Sequence, residues 1–365
     1  MGELFGLISG VLGPILVLLL LVVPLIVVHE LGHLLAARRR GIAVEEFGIG
    51  FPPRVAVLHR GARTLLTLNA LPFGGFVRMA GATEGSSEPD GWERASLTSK
   101  IIVMLAGVVV NLAVAFLLML ALAGPLAERG ELLLADVQPG SPAANAGIVA
   151  GERISSLNGV PFDRFETPLA GLREAAGREV QLTVIDDAGV SRDITLQLRS
   201  IEEAAGQGVL GISIADLLPA GPLERPATDV VRLAAVRTLD AGMAILGGLA
   251  ELVTAPFQSA EEAPALAGPV GIAVGVAGAA ERLGFSGLIQ IAALLSANLA
   301  ILNLLPIPPL DGGRVAALLL RRLLGGERGR RVEQALVTAG ALAMLLLFFW
   351  ITLGDLGAVF GGGAR

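Results

Sequence analysis

Four long apolar stretches constrain this chain more than any other feature of its sequence, and they lie near residues 14–37, 101–123, 286–305 and 335–353. A helix needs about 20 apolar residues to cross the hydrocarbon core of a bilayer, and each stretch has about that length. The composition agrees, since 53% of the residues are hydrophobic, 16% are charged and the mean hydropathy is +0.72. The sequence therefore predicts a polytopic α-helical membrane protein with about four transmembrane helices.

The composition also excludes some functions. The formal net charge of −6 argues against a nucleic-acid partner. The chain has no cysteine, so disulfides and thiolate metal sites are excluded. It has only three histidines, and two of them lie in the first apolar stretch.

The distribution of basic residues predicts the orientation in the membrane, because loops rich in Lys and Arg face the cytoplasm. Arg38–Arg40 follow the first stretch, Arg94 and Lys100 precede the second, and six arginines lie between residues 314 and 331. The long segment between the second and third stretches is instead rich in Asp and Glu. We therefore expect this segment and both termini to lie outside the cytoplasm.

The pattern between the apolar stretches differs from one segment to the next. Residues 41–100 alternate short apolar runs with Gly and Pro, which is typical of strands and turns. Residues 128–215 have the length and pattern of one compact α/β module. The predicted divisions are the first transmembrane helix (1–40), a cytoplasmic membrane-associated β region (41–100), the second transmembrane helix (101–127), an inserted extracytoplasmic α/β module (128–215), an amphipathic or re-entrant region (216–285), the third transmembrane helix (286–313), a cytoplasmic loop (314–334) and the fourth transmembrane helix with its tail (335–365).

The first apolar stretch contains the pattern His-Glu-Leu-Gly-His, from His29 to His33. Residues four apart lie nearly on one face of a helix, so both imidazoles can bind one metal ion, and Glu30 beside them can take a proton from water at that ion. Zinc suits two imidazoles, takes a third protein ligand in catalytic sites and leaves the fourth position to water. Ionisable groups at bilayer depth are costly and functional by default. The alternative to a metal site is a polar helix end whose histidines reach the membrane interface, but this interpretation leaves Glu30 unpaired.

The third ligand should be a carboxylate or a histidine. The remaining histidine, His59, stands beside Arg60 in a polar turn and reads as a surface residue. Asp311 is the better candidate, because it follows a third apolar stretch that prolines interrupt. Broken backbone at membrane depth is tolerated only where it is buried in protein or lines a cavity. Asp311 is thus either a ligand or a helix cap at the membrane surface, and Asn303 is either a structural amide or a substrate clamp.

These residues resemble the site-2 proteases, zinc metalloproteases that cut inside membranes, and most of all the bacterial regulator-of-sigma-E type. The resemblance extends over nearly the whole chain, and its motifs are "HELGH", "RRGIAVEEFGIGFPP", "LNALPFGGFVRMAG", "AGVVVNLAVA", a PDZ-like module, "GPVGIA" and "NLLPIPPLDGG". It implies that Zn²⁺ is held by His29, His33 and Asp311, and that Glu30 is the catalytic base. It places Asn303 near the substrate backbone, and Gly75 and Phe76 on a β element that pairs with an extended substrate strand.

The resemblance implies an intramembrane endopeptidase in the bacterial inner membrane, with its active site toward the cytoplasm and its PDZ-like module outside. The expected partners are the lipid bilayer and single-span membrane proteins, such as pre-trimmed anti-sigma factors or remnant signal peptides. The module either binds a peptide or protein through a loop near Val209–Ile212 or filters substrates by size. The alternative function is a membrane-tethered PDZ scaffold with an inactive protease core. A metal transporter is disfavoured, since neither inverted repeats nor additional spans are seen.

Overall fold

The computed structural model describes residues 2–81, 88–165, 168–204, 207–254 and 269–360. It divides into two compact units, one formed by Met1–Met119 with Ala235–Arg365 and the other by Leu120–Ala234. The long helices are α1 (Gly2–Arg39), α2 (Leu97–Ala123), α6 (Ala227–Thr254), α7 (Pro269–Leu304) and α9 (Gly326–Phe360), and a shorter amphipathic helix, α8 (Asp311–Leu324), connects the last two.

Five helices among the described residues are long and apolar enough to cross a membrane, which makes this a multi-pass membrane protein. We expected about four, so the count by length and composition is one higher. The additional candidate is Ala227–Glu251 in α6, whose hydropathy of 1.4 is the lowest of the set. Charged residues along α6, among them Arg232 and Asp240, dilute its apolar character. For this reason we predicted only an amphipathic segment from its sequence.

α7 consists of two helical arms that meet at Gly284 (φ 64°, ψ −151°). A positive φ of this size is available to glycine at little cost, so the kink falls where the sequence allows it. The second arm begins close to residue 286, where we predicted the third apolar span to start. Pro306, Pro308 and Pro309 follow the end of α7 and prevent the helix from continuing into α8.

Small residues bring the helices of the first unit together. Ala115 of α2, Ala241 of α6 and Ala297 of α7 form one buried cluster. A Cβ atom on Gly32 of α1 would lie 2.8 Å from the backbone oxygen of Ala106 in α2. Helices in a bilayer associate through such close contacts, since lipid supplies no hydrophobic force between them.

The segment that follows α1 forms two long antiparallel strands, β1 (Val44–Arg60) and β2 (Leu65–Met79). Residues 46–49 of β1 pair with residues 65–68 of β2 and also with residues 75–78, so the first part of β1 is enclosed on both sides. The strands predicted for this region are thus present. Residues 82–87 of the predicted β region lie outside the described residues.

A buried carboxylate fixes this pair of strands. Glu46 is only 2% exposed and accepts hydrogen bonds from Arg54 (2.7 Å), Thr67 (2.8 Å) and Arg78. Burial alone raises the pKa of the Glu46 carboxyl, but the hydrogen bonds from Thr67 and Arg54 and the charge of Arg78 outweigh burial, so the pKa lies below its usual value.

The second unit is built on a six-stranded sheet in the order β7-β6-β4-β5-β3-β8. Its strands are β3 (Glu128–Val137), β4 (Arg153–Leu157), β5 (Val160–Asp163), β6 (Glu179–Ile185), β7 (Ser191–Gln197) and β8 (Ile212–Pro222). Three short helices accompany them, α3 (Pro142–Asn145), α4 (Pro168–Glu174) and α5 (Ile201–Ala204). The mixture of helices and strands agrees with the α/β pattern of the sequence, and β8 continues past residue 215, where the predicted module ends.

Replacing Glu46 with Gln tests the role of this carboxylate. Loss of charged hydrogen bonds at a buried site costs about 1.5–3 kcal/mol, so we expect a lower thermal midpoint in detergent at pH 7. Glu45→Gln is the matched control, because the Glu45 side chain is 47% exposed and its ion pair contributes under about 1 kcal/mol. Folding lowers the pKa of Glu46 below its unfolded value, which is near 4.5. Its contribution to the free energy of unfolding is therefore complete above that pH and disappears as the pH falls through the pKa of the folded protein. Equal midpoints for wild type and Glu46→Gln at pH 7 would contradict this account.

Candidate metal centre

Two histidines on α1 face inward near the C-terminal end of that helix. His29 is 6% exposed and His33 is 5% exposed, as expected for residues one turn apart on one face. Their Nε2 atoms lie 3.2 Å apart. The helix therefore places both imidazoles at a common point, as the sequence spacing predicted.

Asp311 is brought to the same point by the turn between α7 and α8. It is the first residue of α8 and is buried. A Cβ atom on Gly312 would collide with the backbone of Leu304, and a Cβ atom on Gly313 with the backbone of Ile307 and Pro308. Only glycine fits this turn, so the two glycines after Asp311 allow the chain to fold back tightly and present the carboxylate.

The three side chains form a compact triangle. Asp311 Oδ2 lies 3.1 Å from His29 Nε2 and 3.3 Å from His33 Nε2, and the two nitrogens complete the figure at 3.2 Å. Ligands at about 2.0–2.1 Å from a tetrahedral zinc ion are separated by roughly 3.3–3.4 Å. The donor atoms therefore already have the chemistry and nearly the spacing of three zinc ligands.

Glu30 lies beside this triangle and is partly exposed. Its carboxylate is within 4.8 Å of ligand atoms of both His29 and His33. The Asp311 oxygen is within hydrogen-bonding distance of both histidine nitrogens, whereas the Glu30 carboxylate lies within 4.8 Å of them. This position suits a group that exchanges protons with a molecule at the centre.

α2 covers the centre with a glycine. A Cβ atom on Gly107 would lie 2.5 Å from Cε1 of His29 and 2.7 Å from Nε2 of both histidines. One turn earlier on α2, the backbone oxygen of Val103 accepts a hydrogen bond from Nδ1 of His33 at 2.7 Å. The sequence pattern by itself assigns no role to Gly107. Its position in the Ala-Gly pair of a transmembrane helix is a signal of close packing.

The remaining predicted site residues occupy different positions. Gly75 is buried, and a Cβ atom there would lie 3.2 Å from Cγ of Glu30. The ring of Phe76 covers Gly48 on the neighbouring strand. Asn303 is half-buried and donates a hydrogen bond to the backbone oxygen of Leu299, one turn earlier in α7, at 2.9 Å. Gly75 thus adjoins the triangle through Glu30, whereas the described hydrogen bond of Asn303 stays within its own helix.

The chain is similar to a family of peptidases and to proteins named as zinc metalloproteases. The model of a family described as "Peptidase family M50" matches residues 16–347. A protein of Nostoc sp. named as a zinc metalloprotease is 33% identical, over 88% of this chain and 90% of its own length. One with the same type of name in Clostridium perfringens is 31% identical, over 91% of this chain and 95% of its own length. The Bacillus subtilis protein named regulator of sigma-W protease RasP is 29% identical, over 92% and 96%.

Gly107→Ala tests whether the space over the histidines is needed. The added methyl group would lie 2.5–2.7 Å from the imidazole atoms, so we expect zinc affinity to fall at least about tenfold. Gly13→Ala in α1 is the control, because nothing lies within 4 Å of a Cβ atom there. Zinc affinity is measured by chelator competition on protein from gel filtration, which also verifies folding. A folded Gly107→Ala protein with the affinity of the wild type would refute the packing argument.

Proposed function

Since the chain belongs to peptidase family M50, the site-2 protease family of zinc metalloproteases, we propose that His29, His33 and Asp311 hold its zinc ion and that Glu30 is its catalytic base. The observation that carries this proposal is the triangle of donor atoms with sides of 3.1–3.3 Å. No other group of side chains that we describe combines two buried imidazoles with two carboxylates.

The chemistry follows from the positions of these side chains. Zinc, when bound, acts as a Lewis acid that makes hydroxide available near neutral pH. The Glu30 carboxylate takes a proton from the attacking water and delivers one to the nitrogen of the peptide bond that breaks. The products are one new carboxyl group and one new amine. Burial of the site excludes bulk water, which strengthens the electrostatic interactions within it.

The substrate must reach the site as an extended strand, because a helix hides its peptide bonds. Residues 75–78 of β2 pair with β1 on one side, and no described strand pairs with their other side. This edge begins at Gly75, next to Glu30. We propose that the unwound substrate adds to this edge, with Phe76 and the amide of Asn303 contacting its backbone.

The proposed substrates are single-span membrane proteins whose outer part has already been removed. A relative named for regulation of sigma-W supports a role in regulated intramembrane proteolysis. Pre-trimmed anti-sigma factors and remnant signal peptides are the substrate classes that fit. A bilayer-embedded site selects for short remnants, because a bulky folded domain cannot enter the membrane.

The contact between α1 and α8 supports the orientation inferred from the arginines. Because His29 and His33 meet Asp311, the end of α1 and the start of α8 lie at one face, so the chain between them crosses an even number of times. If α2, α6 and α7 each crossed the membrane once, the number of crossings would be three, which is odd. We propose that α2 and the second arm of α7 cross, that α6 and the first arm do not, and that the shared face is cytoplasmic.

The second unit is proposed to be a PDZ-like module on the opposite side of the membrane. A groove of 580 Å³ lies between α4 and residues 208–212, and its lining includes Leu169, Leu172 and Val209. Gly208 and Gly211 have positive φ values of 82° and 75°, so the Val209–Ile212 loop adopts a conformation that glycine permits. An apolar groove beside such a loop suits a peptide C-terminus. Filtering by size is the alternative role of the module.

A membrane-tethered scaffold with an inactive core is the competing function. A scaffold needs no convergent set of buried metal-binding groups, and burying such groups is costly unless they are paired or bind metal. The intact triangle with Glu30 beside it therefore favours the protease.

Glu30→Gln separates catalysis from metal binding. Removing the base should lower cleavage by a factor of at least about 100, because the amide cannot accept a proton. The zinc content should stay at the wild-type level, since Glu30 is not one of the proposed ligands. Cleavage of a single-span model substrate in proteoliposomes is the measurement, with Glu45→Gln as the matched exposed control. Normal cleavage by Glu30→Gln would refute the assignment of the base.

Gly75→Ala tests the proposed substrate edge. The added methyl group would lie 3.2 Å from Cγ of Glu30 and 3.1 Å from the backbone oxygen of Gly48, so it narrows the space for a substrate strand. A displacement of reacting groups by about 1 Å can cost 100-fold in rate, and we expect a loss of about tenfold or more in kcat/KM at unchanged zinc content. Gly13→Ala again serves as control. Unchanged kinetics would show that the substrate does not pass this edge.

A further inference from the structure

Two buried polar groups close to the metal centre have no hydrogen-bond partner among the described residues. One is Nδ1 of His29, and the other is the side-chain amide of Asn111, of which both Nδ2 and Oδ1 are unpaired. Asn111 lies in the middle of α2 and is fully buried. An unpaired amide in an apolar interior destabilises the fold, so this position requires a reason.

The other histidine shows what is missing at His29. Nδ1 of His33 donates to the backbone oxygen of Val103 at 2.7 Å. Metal-binding histidines nearly always donate their second ring N–H to an oxygen, which fixes the tautomer and the orientation of the ring. His29 needs an equivalent acceptor.

The packing of α1 against α2 shows where that acceptor must lie. His33 bonds to Val103, and Gly107, one turn further along α2, lies against His29 as well as against Nε2 of His33. The helices are thus antiparallel here, and the contact moves forward along α2 as it moves back along α1. The next residue on this face of α2 is Asn111, four residues after Gly107. Side chains of a helix lean toward its N-terminus, so the amide of Asn111 leans over Gly107. Because Gly107 has no side chain, nothing from that residue separates the amide from His29.

A purely structural role does not account for this amide. The contact between Asn111 and α7 is made by its backbone oxygen, which accepts a hydrogen bond from Ser296 at 2.8 Å. An interhelical amide would use its side chain for that purpose. The side chain thus stays available for a group on the α1 side.

We propose that Asn111 is a positioning residue for the metal centre: its Oδ1 accepts a hydrogen bond from a water molecule that in turn accepts the Nδ1–H of His29. The bond holds His29 in the tautomer whose Nε2 lone pair faces Asp311 and the metal position. This inference rests on the proposed zinc site, and it concerns metal affinity rather than contact with substrate.

Zinc affinity of Asn111 variants tests the proposal. Asn111→Leu keeps the approximate volume and removes the acceptor, so the zinc dissociation constant, measured by chelator competition, should rise about 10–100-fold. Asn111→Asp retains an acceptor and should stay within a few-fold of the wild type. Ser296→Ala is the matched control, because it removes the hydrogen bond to the Asn111 backbone and leaves the amide in place.

Each outcome decides a different point. A wild-type protein without zinc overturns the proposed metal site itself. If the wild type binds zinc and folded Asn111→Leu binds it with the same affinity, only the role of Asn111 is overturned. The same holds if Ser296→Ala weakens zinc binding as much as Asn111→Leu does. If Asn111→Leu is not recovered folded, Asn111→Ala is measured in the same way. As a second measurement, histidines are labelled with ¹⁵N in a His59→Gln background, so that only His29 and His33 contribute signals. Adding the Asn111 substitution should shift one Nδ1 signal, and an unchanged spectrum would contradict the proposal.

Discussion

The contact of His29 and His33 with Asp311 joins residues about 280 positions apart, and the rest of the structure depends on it. Each of these groups would be costly at bilayer depth if it stood alone. Their convergence fixes α1 beside the turn between α7 and α8. It also requires an even number of membrane crossings between them, which limits how the five candidate spans can be arranged.

Close helix packing makes this convergence feasible. Gly32 and Gly107 bring α1 and α2 together, so that backbone oxygens and ring nitrogens meet directly. Gly312 and Gly313 permit the tight turn that presents the carboxylate. The chemistry of the site therefore depends on positions without side chains as much as on the polar residues themselves. A single methyl group at Gly107 would occupy the space of the imidazole atoms.

The sequence predicted the parts of this arrangement that follow from local spacing. The two histidines one turn apart, the strands after α1 and the break before Asp311 could all be read from the pattern. The position of Gly107 and the burial of Asn111 depend on which helix packs against α1, and one chain's periodicity does not contain that information. The burial of Glu46 could not be predicted for a similar reason, because the strand register brings its partners Arg54, Thr67 and Arg78 to it. The charged residues of α6 lower its hydropathy, so the sequence pattern did not predict it as a fifth candidate span.

The ligand set is the central claim, and X-ray absorption at the zinc edge tests it most directly. The chain has only three histidines and no cysteine, so the count of imidazoles around zinc has few interpretations. We predict two imidazoles in the wild type, two in His59→Gln and one in any zinc that His33→Ala retains, with no sulfur contribution. An imidazole count that falls in His59→Gln, or that is unchanged in His33→Ala, would contradict the account.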